Sequence, residues 1–178
     1  MKTRPPRLLA GFIGTFLALL AAAALLRLTR HPWLLPSFGG SCVILFGMAR
    51  GVMAQPRSFF GGHVLATITG LLARQLHLAC GGPATLWAAG AVAAALTVMA
   101  ATRTIHSPAG ANPLVVFAEE AGWDFLLAPL LPGLCILFLL AFAANNLPRP
   151  WGAGPWPRFL GLRRAAMASS PQHQGGPP

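Results

Sequence analysis

Arg103 and His106 stand three residues apart where a long apolar run ends, and Ser107-Pro108-Ala109-Gly110-Ala111-Asn112-Pro113 follows at once. If the helix over 84–103 continues for one turn, the guanidinium and the imidazole project from one face. That pair makes a positive site, and an imidazole gains or loses a proton near neutrality, so it suits an anion or a proton. The same residues also suit a snorkelling Arg103 and a His106 that only caps a helix. Ser107 is predicted to cap a helix starting at Pro108, since proline fits the first helical position. The free N–H groups of Ala109, Gly110 and Ala111 would then face a small anion at the positive helix end. Gly110 has no side chain to block the approach, Asn112 adds a polar group, and Pro113 removes one further N–H.

Two other groups of residues invite the same chemistry. Gln55-Pro56-Arg57 precedes Gly61-Gly62-His63, with Arg57 at the mouth of a helix over 58–79 and His63 about one and a half turns further in. A histidine at that depth is expected to face protein, and the paired glycines let another helix come close. Gly39-Gly40-Ser41 opens a short apolar segment as a second N-terminal cradle. HExxH, GxSxG, P-loop and paired-carboxylate patterns are all absent from the sequence. No enzyme, cofactor or metal is expected. Cys42, Cys80 and Cys135 form no CxxC and are expected to be small buried hydrophobes.

The elements that must position these residues belong to a membrane. Of the 178 residues, 55% are hydrophobic and 9% are charged, against roughly 25% charged in soluble domains. Segments over 8–29, 58–79, 84–103 and 125–147 are long enough to cross or nearly cross a bilayer as helices. Shorter segments over 37–49 and 108–118, each introduced by Pro and small residues, lie between them. The predicted fold is all-α: four long transmembrane helices and two short, broken or re-entrant ones, in a three-plus-three duplicated order. Residues 1–150 form the membrane domain, 151–164 an interfacial basic and aromatic segment, and 165–178 a disordered tail. The first apolar run is read as a retained helix rather than a cleaved signal.

The net charge of +10 does not make a nucleic-acid site, because the basic residues flank apolar runs instead of forming an aromatic-studded patch. Lys2, Arg4 and Arg7 at one end and Arg149, Arg158, Arg163 and Arg164 at the other place both termini in the cytoplasm of a multi-pass protein of the inner (plasma) membrane. Six crossings also bring Arg50, Arg57 and Arg103 inside and leave Glu119, Glu120 and Asp124 outside. Small residues at helical spacing, Ala18 with Ala22 and Gly90 with Ala94, fit close packing and a homo-oligomer.

The succession Gln55-Pro56-Arg57, Gly61-Gly62-His63 and Thr102-Arg103-Thr104-Ile105-His106-Ser107-Pro108-Ala109-Gly110-Ala111-Asn112-Pro113 resembles the HPP family of integral membrane proteins over roughly residues 33–147. The family's His-Pro-Pro triplet is His106-Ser107-Pro108 here, so the middle proline is replaced while Ala-Gly-Ala is kept. Family members are generally regarded as transporters, some linked to nitrite. The resemblance therefore implies transport of a small inorganic anion, nitrite first. The alternative is a non-transporting scaffold that assembles other membrane proteins.

Overall fold

Proline decides where several helices begin. In the computed structural model, which describes residues 5–28, 34–147 and 156–157, six α-helices follow one another. They are α1 (Pro5–Leu26), α2 (Pro36–Cys42), α3 (Pro56–Cys80), α4 (Ala84–Ala101), α5 (Asn112–Ala118) and α6 (Leu131–Asn146). Pro36, Pro56, Pro113 and Pro132 occupy the first or second position of α2, α3, α5 and α6, where a missing N–H costs nothing. A wider π turn, Val43–Gly47, continues α2, and another, Leu126–Leu130, leads into α6. The second contains a break at Ala128 (φ −151°, ψ 104°), since the residue before Pro129 is forced out of the helical region. Short 3₁₀ turns cover Val52–Ala54 and Ser107–Ala111. Among the described residues there is no strand.

Among the described residues, three helical stretches are long and apolar enough to span a bilayer: Arg7–Leu26, Ala84–Ala101 and Leu126–Asn146. The fourth expected span, 58–79, falls within α3. At 25 residues, roughly 37 Å, α3 is the longest helix. It is less apolar because Arg57, His63, Thr67, Arg74, Gln75 and His77 interrupt it, and its buried face carries polar side chains rather than lipid contacts.

Lipid and protein faces separate cleanly on α1. Leu9, Phe12, Ile13, Phe16, Leu17 and Leu20 point outward, while Ala18, Ala22 and Leu26 are wholly buried. The small Ala18 and Ala22, four apart, let α1 lie along α6, whose Leu134, Leu137 and Ala141 close the same core. Gly90 and Ala94, the other expected small pair, face outward on α4. Cys42 is buried as expected, whereas Cys80 and Cys135 are exposed: Cys80 is the last residue of α3, in an exposed stretch, and Cys135 sits on the outer face of α6.

α3 pairs with α4 as α1 pairs with α6; the short α2 packs on α1 and α6, and the short α5 on α3 and α4. Each short helix enters a long one at a glycine. Phe38 of α2 lies against Gly133 of α6, and Pro113 of α5 lies against Gly70 of α3, where an added Cβ would come within 2.7 Å of the Pro113 backbone. Asn145 of α6 donates to the Leu45 carbonyl at 2.9 Å, satisfying a backbone group in the π turn.

One end of the molecule is basic. Arg7 at the start of α1, Arg50 beyond the π turn and Asn145 at the end of α6 line a single cavity of about 830 Å³. Arg57, next to Gln55, reaches Thr102 beside Arg103. At the far end of α3, Arg74 lies 3.9 Å from Glu120 in the acidic loop. The proposed tail segments, 151–164 and 165–178, fall almost entirely outside the described residues. Trp156 is buried against Phe138 and Phe142 and is tied to Asn146.

Candidate functional site

The helix α4 stops by a device that contains no glycine. Arg103 takes the left-handed conformation (φ 56°). The Arg103 N–H then donates to Ala100, and the Thr104 N–H to Met99 at 2.8 Å. These are the paired bonds that close a helix end through a left-handed residue. The chain leaves extended through Thr104–His106 and falls onto α3 where α3 has no side chains. A Cβ on Gly61 would lie 2.8 Å from Thr104, and one on Gly62 would lie 2.7 Å from the His106 Cβ and 2.8 Å from the Thr104 carbonyl. The paired glycines thus admit an extended segment, where a helix was expected. Gly40 of α2 does the same for Pro108, whose ring atoms would be 3.1 Å from an added Cβ.

This approach buries His106 beside His63 of α3 and Ser41 of α2, all three at 0% exposure. Ser41 Oγ is 2.8 Å from His63 Nε2 and 2.9 Å from His106 Nε2. On its far side His106 Nδ1 donates to the Met53 carbonyl at 2.8 Å, a direction fixed because a carbonyl only accepts. Asn112 Nδ2 stands 3.1 Å from His63 Nδ1, and donates to Thr67 Oγ1 at 2.8 Å and to the His63 carbonyl at 3.3 Å. Asn112 Oδ1 is buried with no partner. The edges of Phe59 and the two imidazoles meet at 5.5 and 5.4 Å between ring centres, and Phe38 covers His63 from the other side. A serine oxygen beside an imidazole is also the arrangement of a hydrolytic nucleophile. Here the oxygen is shared by two rings and sealed by aromatics, so a bulky acyl group has no approach.

Residues 1–152 match the family described as HPP, transmembrane region. The chain belongs to the HPP transmembrane family. It is similar to one transmembrane protein of Dictyostelium discoideum at 33% identity over 120 residues, covering 65% of this chain and 42% of that protein. It is similar to a second at 30% identity over 146 residues, covering 78% of this chain and 47% of that protein. The chain thus spans less than half the length of these curated relatives. No solved structure matches it. This HPP protein is an integral membrane protein, with apolar helices compatible with a transporter or channel.

Among the sequence-derived site residues of this HPP chain, Ser41, His63, His106 and Asn112 come together. The guanidiniums do not join them. Arg57 is exposed and donates to the Thr102 carbonyl at 2.8 Å, tying the end of α4 to the start of α3. Arg103 is exposed as well, and it shares no helical face with His106 because α4 ends at Ala101. Gln55 binds the carbonyls of Ala49 and Gly51, and Pro56 starts α3.

The expected amide cradles take another form. The segment at Pro108 is a 3₁₀ turn, Ser107 is exposed and no side chain caps it. The Ala109 N–H is already bonded to His106 at 2.9 Å, and Gly110 and Ala111 complete that turn. Likewise α2 begins at Pro36, so Gly39-Gly40-Ser41 sits past its first turn and Ser41 contributes a hydroxyl, not an amide. Two partners escaped the sequence reading. Thr67 lies four residues after His63, a helical spacing that signals a shared face. The Met53 carbonyl carries no side-chain signal at all. Among the described residues no group of three His, Cys, Asp or Glu is arranged to hold a metal.

Proposed function

We propose that this protein carries a small inorganic anion, nitrite foremost, across the inner (plasma) membrane, with Ser41, His63, His106 and Asn112 as the polar station it passes. The observation that carries this reading is the buried meeting of four polar side chains from three helices and one extended segment, within a bundle whose core is otherwise mostly apolar. Buried polar groups at membrane depth are costly and mark solute or proton paths. They also sit where short, interrupted segments from two halves of the chain converge, the usual place for a transporter site. The matched helix pairs and matched glycine entries of α2 and α5 support a three-plus-three duplication. The cavity holding Arg7 and Arg50 borders Cys42, the neighbour of Ser41, and suits an anion vestibule. That basic end faces the cytoplasm in this reading, and a homo-oligomer is the working assembly.

A scaffold role is the second reading, favoured by how completely the cluster pairs with itself: only Asn112 Oδ1 lacks a partner. Thermal unfolding in a panel of sodium salts separates the two. Nitrite at about a hundred times its dissociation constant stabilises a one-site protein by about 2.7 kcal/mol. A nitrite-specific rise in melting temperature for the wild type, lost in His106→Ala, supports transport. Equal responses to all salts in both proteins support the scaffold.

A further inference from the structure

We propose that His63, Ser41 and His106 form a proton relay, in which the Ser41 hydroxyl passes one proton between two buried imidazoles. The proposal deepens the transport reading, because it adds a proton to the anion's passage, yet it stands on hydrogen-bond accounting that needs no transport assay.

The carbonyls of Met53 and Ser37 can only accept. His106 Nδ1 carries a hydrogen for the Met53 carbonyl, so in a neutral ring Nε2 is an acceptor and shares the single Ser41 hydrogen with the Ser37 carbonyl. Ser41 Oγ then accepts from His63 Nε2–H. His63 Nδ1, left bare, accepts from the Asn112 Nδ2 hydrogen that also faces the His63 carbonyl. The neutral cluster therefore holds two opposite tautomers, Nε2–H on His63 and Nδ1–H on His106.

Two features leave room for one more proton without moving a heavy atom of the rings. First, the Ser41 hydroxyl has a second acceptor, the Ser37 carbonyl at 2.7 Å, so its hydrogen can swing away from His106. Second, Asn112 Oδ1 is buried and unpartnered. Turning the amide over brings that oxygen to His63 Nδ1 and Thr67 Oγ1, both then donors, and gives up the long 3.3 Å bond to the His63 carbonyl.

A proton added at His63 Nδ1 gives an imidazolium that donates to Asn112 Oδ1 and to Ser41 Oγ. The His63 Nε2–H bond breaks as a new Ser41 Oγ–H bond forms. The former Ser41 O–H bond breaks as His106 Nε2–H forms. His63 ends neutral with its hydrogen on Nδ1, and Ser41 now donates to His63 Nε2. His106 becomes the imidazolium, bound to Ser41 and to the Met53 carbonyl. One positive charge has moved from one ring to the other.

The surroundings set the two ends of the relay at different depths. Met53 belongs to the half-exposed turn at the basic end, whereas Thr67 lies eleven residues into α3, about 16 Å from its start. Phe59 and Phe38 wall the rings from the side. From α3 the facing groups are His63 and Thr67, and from α2 Ser41. The 102–106 segment contributes the surface Arg103, and Arg57 lies beside it on the Thr102 carbonyl. The nearest carboxylate loop, Glu119 to Asp124, is at the other end of α3 beside Arg74.

The test is ¹⁵N NMR of histidine-labelled full-length protein in lipid. At neutral pH the wild type is expected to show opposite tautomers, with both rings shifting together in one step as the pH falls. In Ser41→Ala the two rings should shift separately. His106→Asn keeps a donor for the Met53 carbonyl, and with it the local backbone, and should leave His63 to shift alone. The same tautomer on both wild-type rings, separate shifts already in the wild type, or no proton uptake while the protein stays folded overturns the relay. Absence of nitrite stabilisation alongside opposite tautomers and a joint shift would remove the anion reading and leave the relay in place.

Discussion

Arg103 earns its place by backbone geometry and not by its charge. A non-glycine residue held in the left-handed region costs roughly 1–2 kcal/mol, and here that strain turns the chain sharply enough to deliver His106 onto Gly62. Arg103→Gly relieves the strain and should stabilise the protein by about 1 kcal/mol, less what glycine's freedom in the unfolded chain takes back. Thermal unfolding in detergent checks this, and a fall in melting temperature would refute it. Glu120 (φ 48°) ends α5 in the same way, with Ala121 donating to Val116 at 2.9 Å. This is also where the sequence misleads. A lone arginine beside a histidine reads as a charge pair, because side-chain type is visible and a left-handed turn on a residue other than Gly or Asn is not. Ser41, His63, His106 and Asn112 were legible as polar residues in apolar runs. Their mutual bonding was not, since it depends on how two halves of the chain meet.

At the scale of elements, the site exists because glycines on α2 and α3 let backbone lie against backbone. Gly62→Ala places a methyl 2.7 Å from His106 and 2.8 Å from a carbonyl. It should destabilise by about 1–3 kcal/mol, as overpacking does. Gly110→Ala meets nothing within 4 Å and should be near neutral. Parallel melting curves of the two variants make the comparison, and equal melting temperatures would contradict the packing described. The positions of the helices were legible from apolar runs and from prolines. The π turns at 43–47 and 126–130 were not, because a widened turn keeps the composition of its helix. The helix α3 was legible by length, but its polar residues lower its mean apolarity. His63 and Thr67 among them are residues the site uses, so part of the signal that weakens a membrane-span assignment is the functional one.

The whole molecule has a basic end, where Arg7, Arg50, Arg57 and Arg103 gather, and an acidic loop at the opposite end of α3. With Cys42, Cys80 and Cys135 replaced, Arg103→Cys and Glu119→Cys should label from opposite sides of the membrane with an impermeant thiol reagent. Labelling from one side would break the proposed topology. The central claim is that solute passes the buried cluster and not the rim of arginines. Nitrite uptake into proteoliposomes, measured against protein-free vesicles, tests it most directly for wild type, His63→Ala, His106→Asn and Arg103→Gly. The expected result is at least a tenfold loss in the two histidine variants and retained uptake in Arg103→Gly. Uptake that survives both histidine changes but is lost with Arg103→Gly would contradict the account.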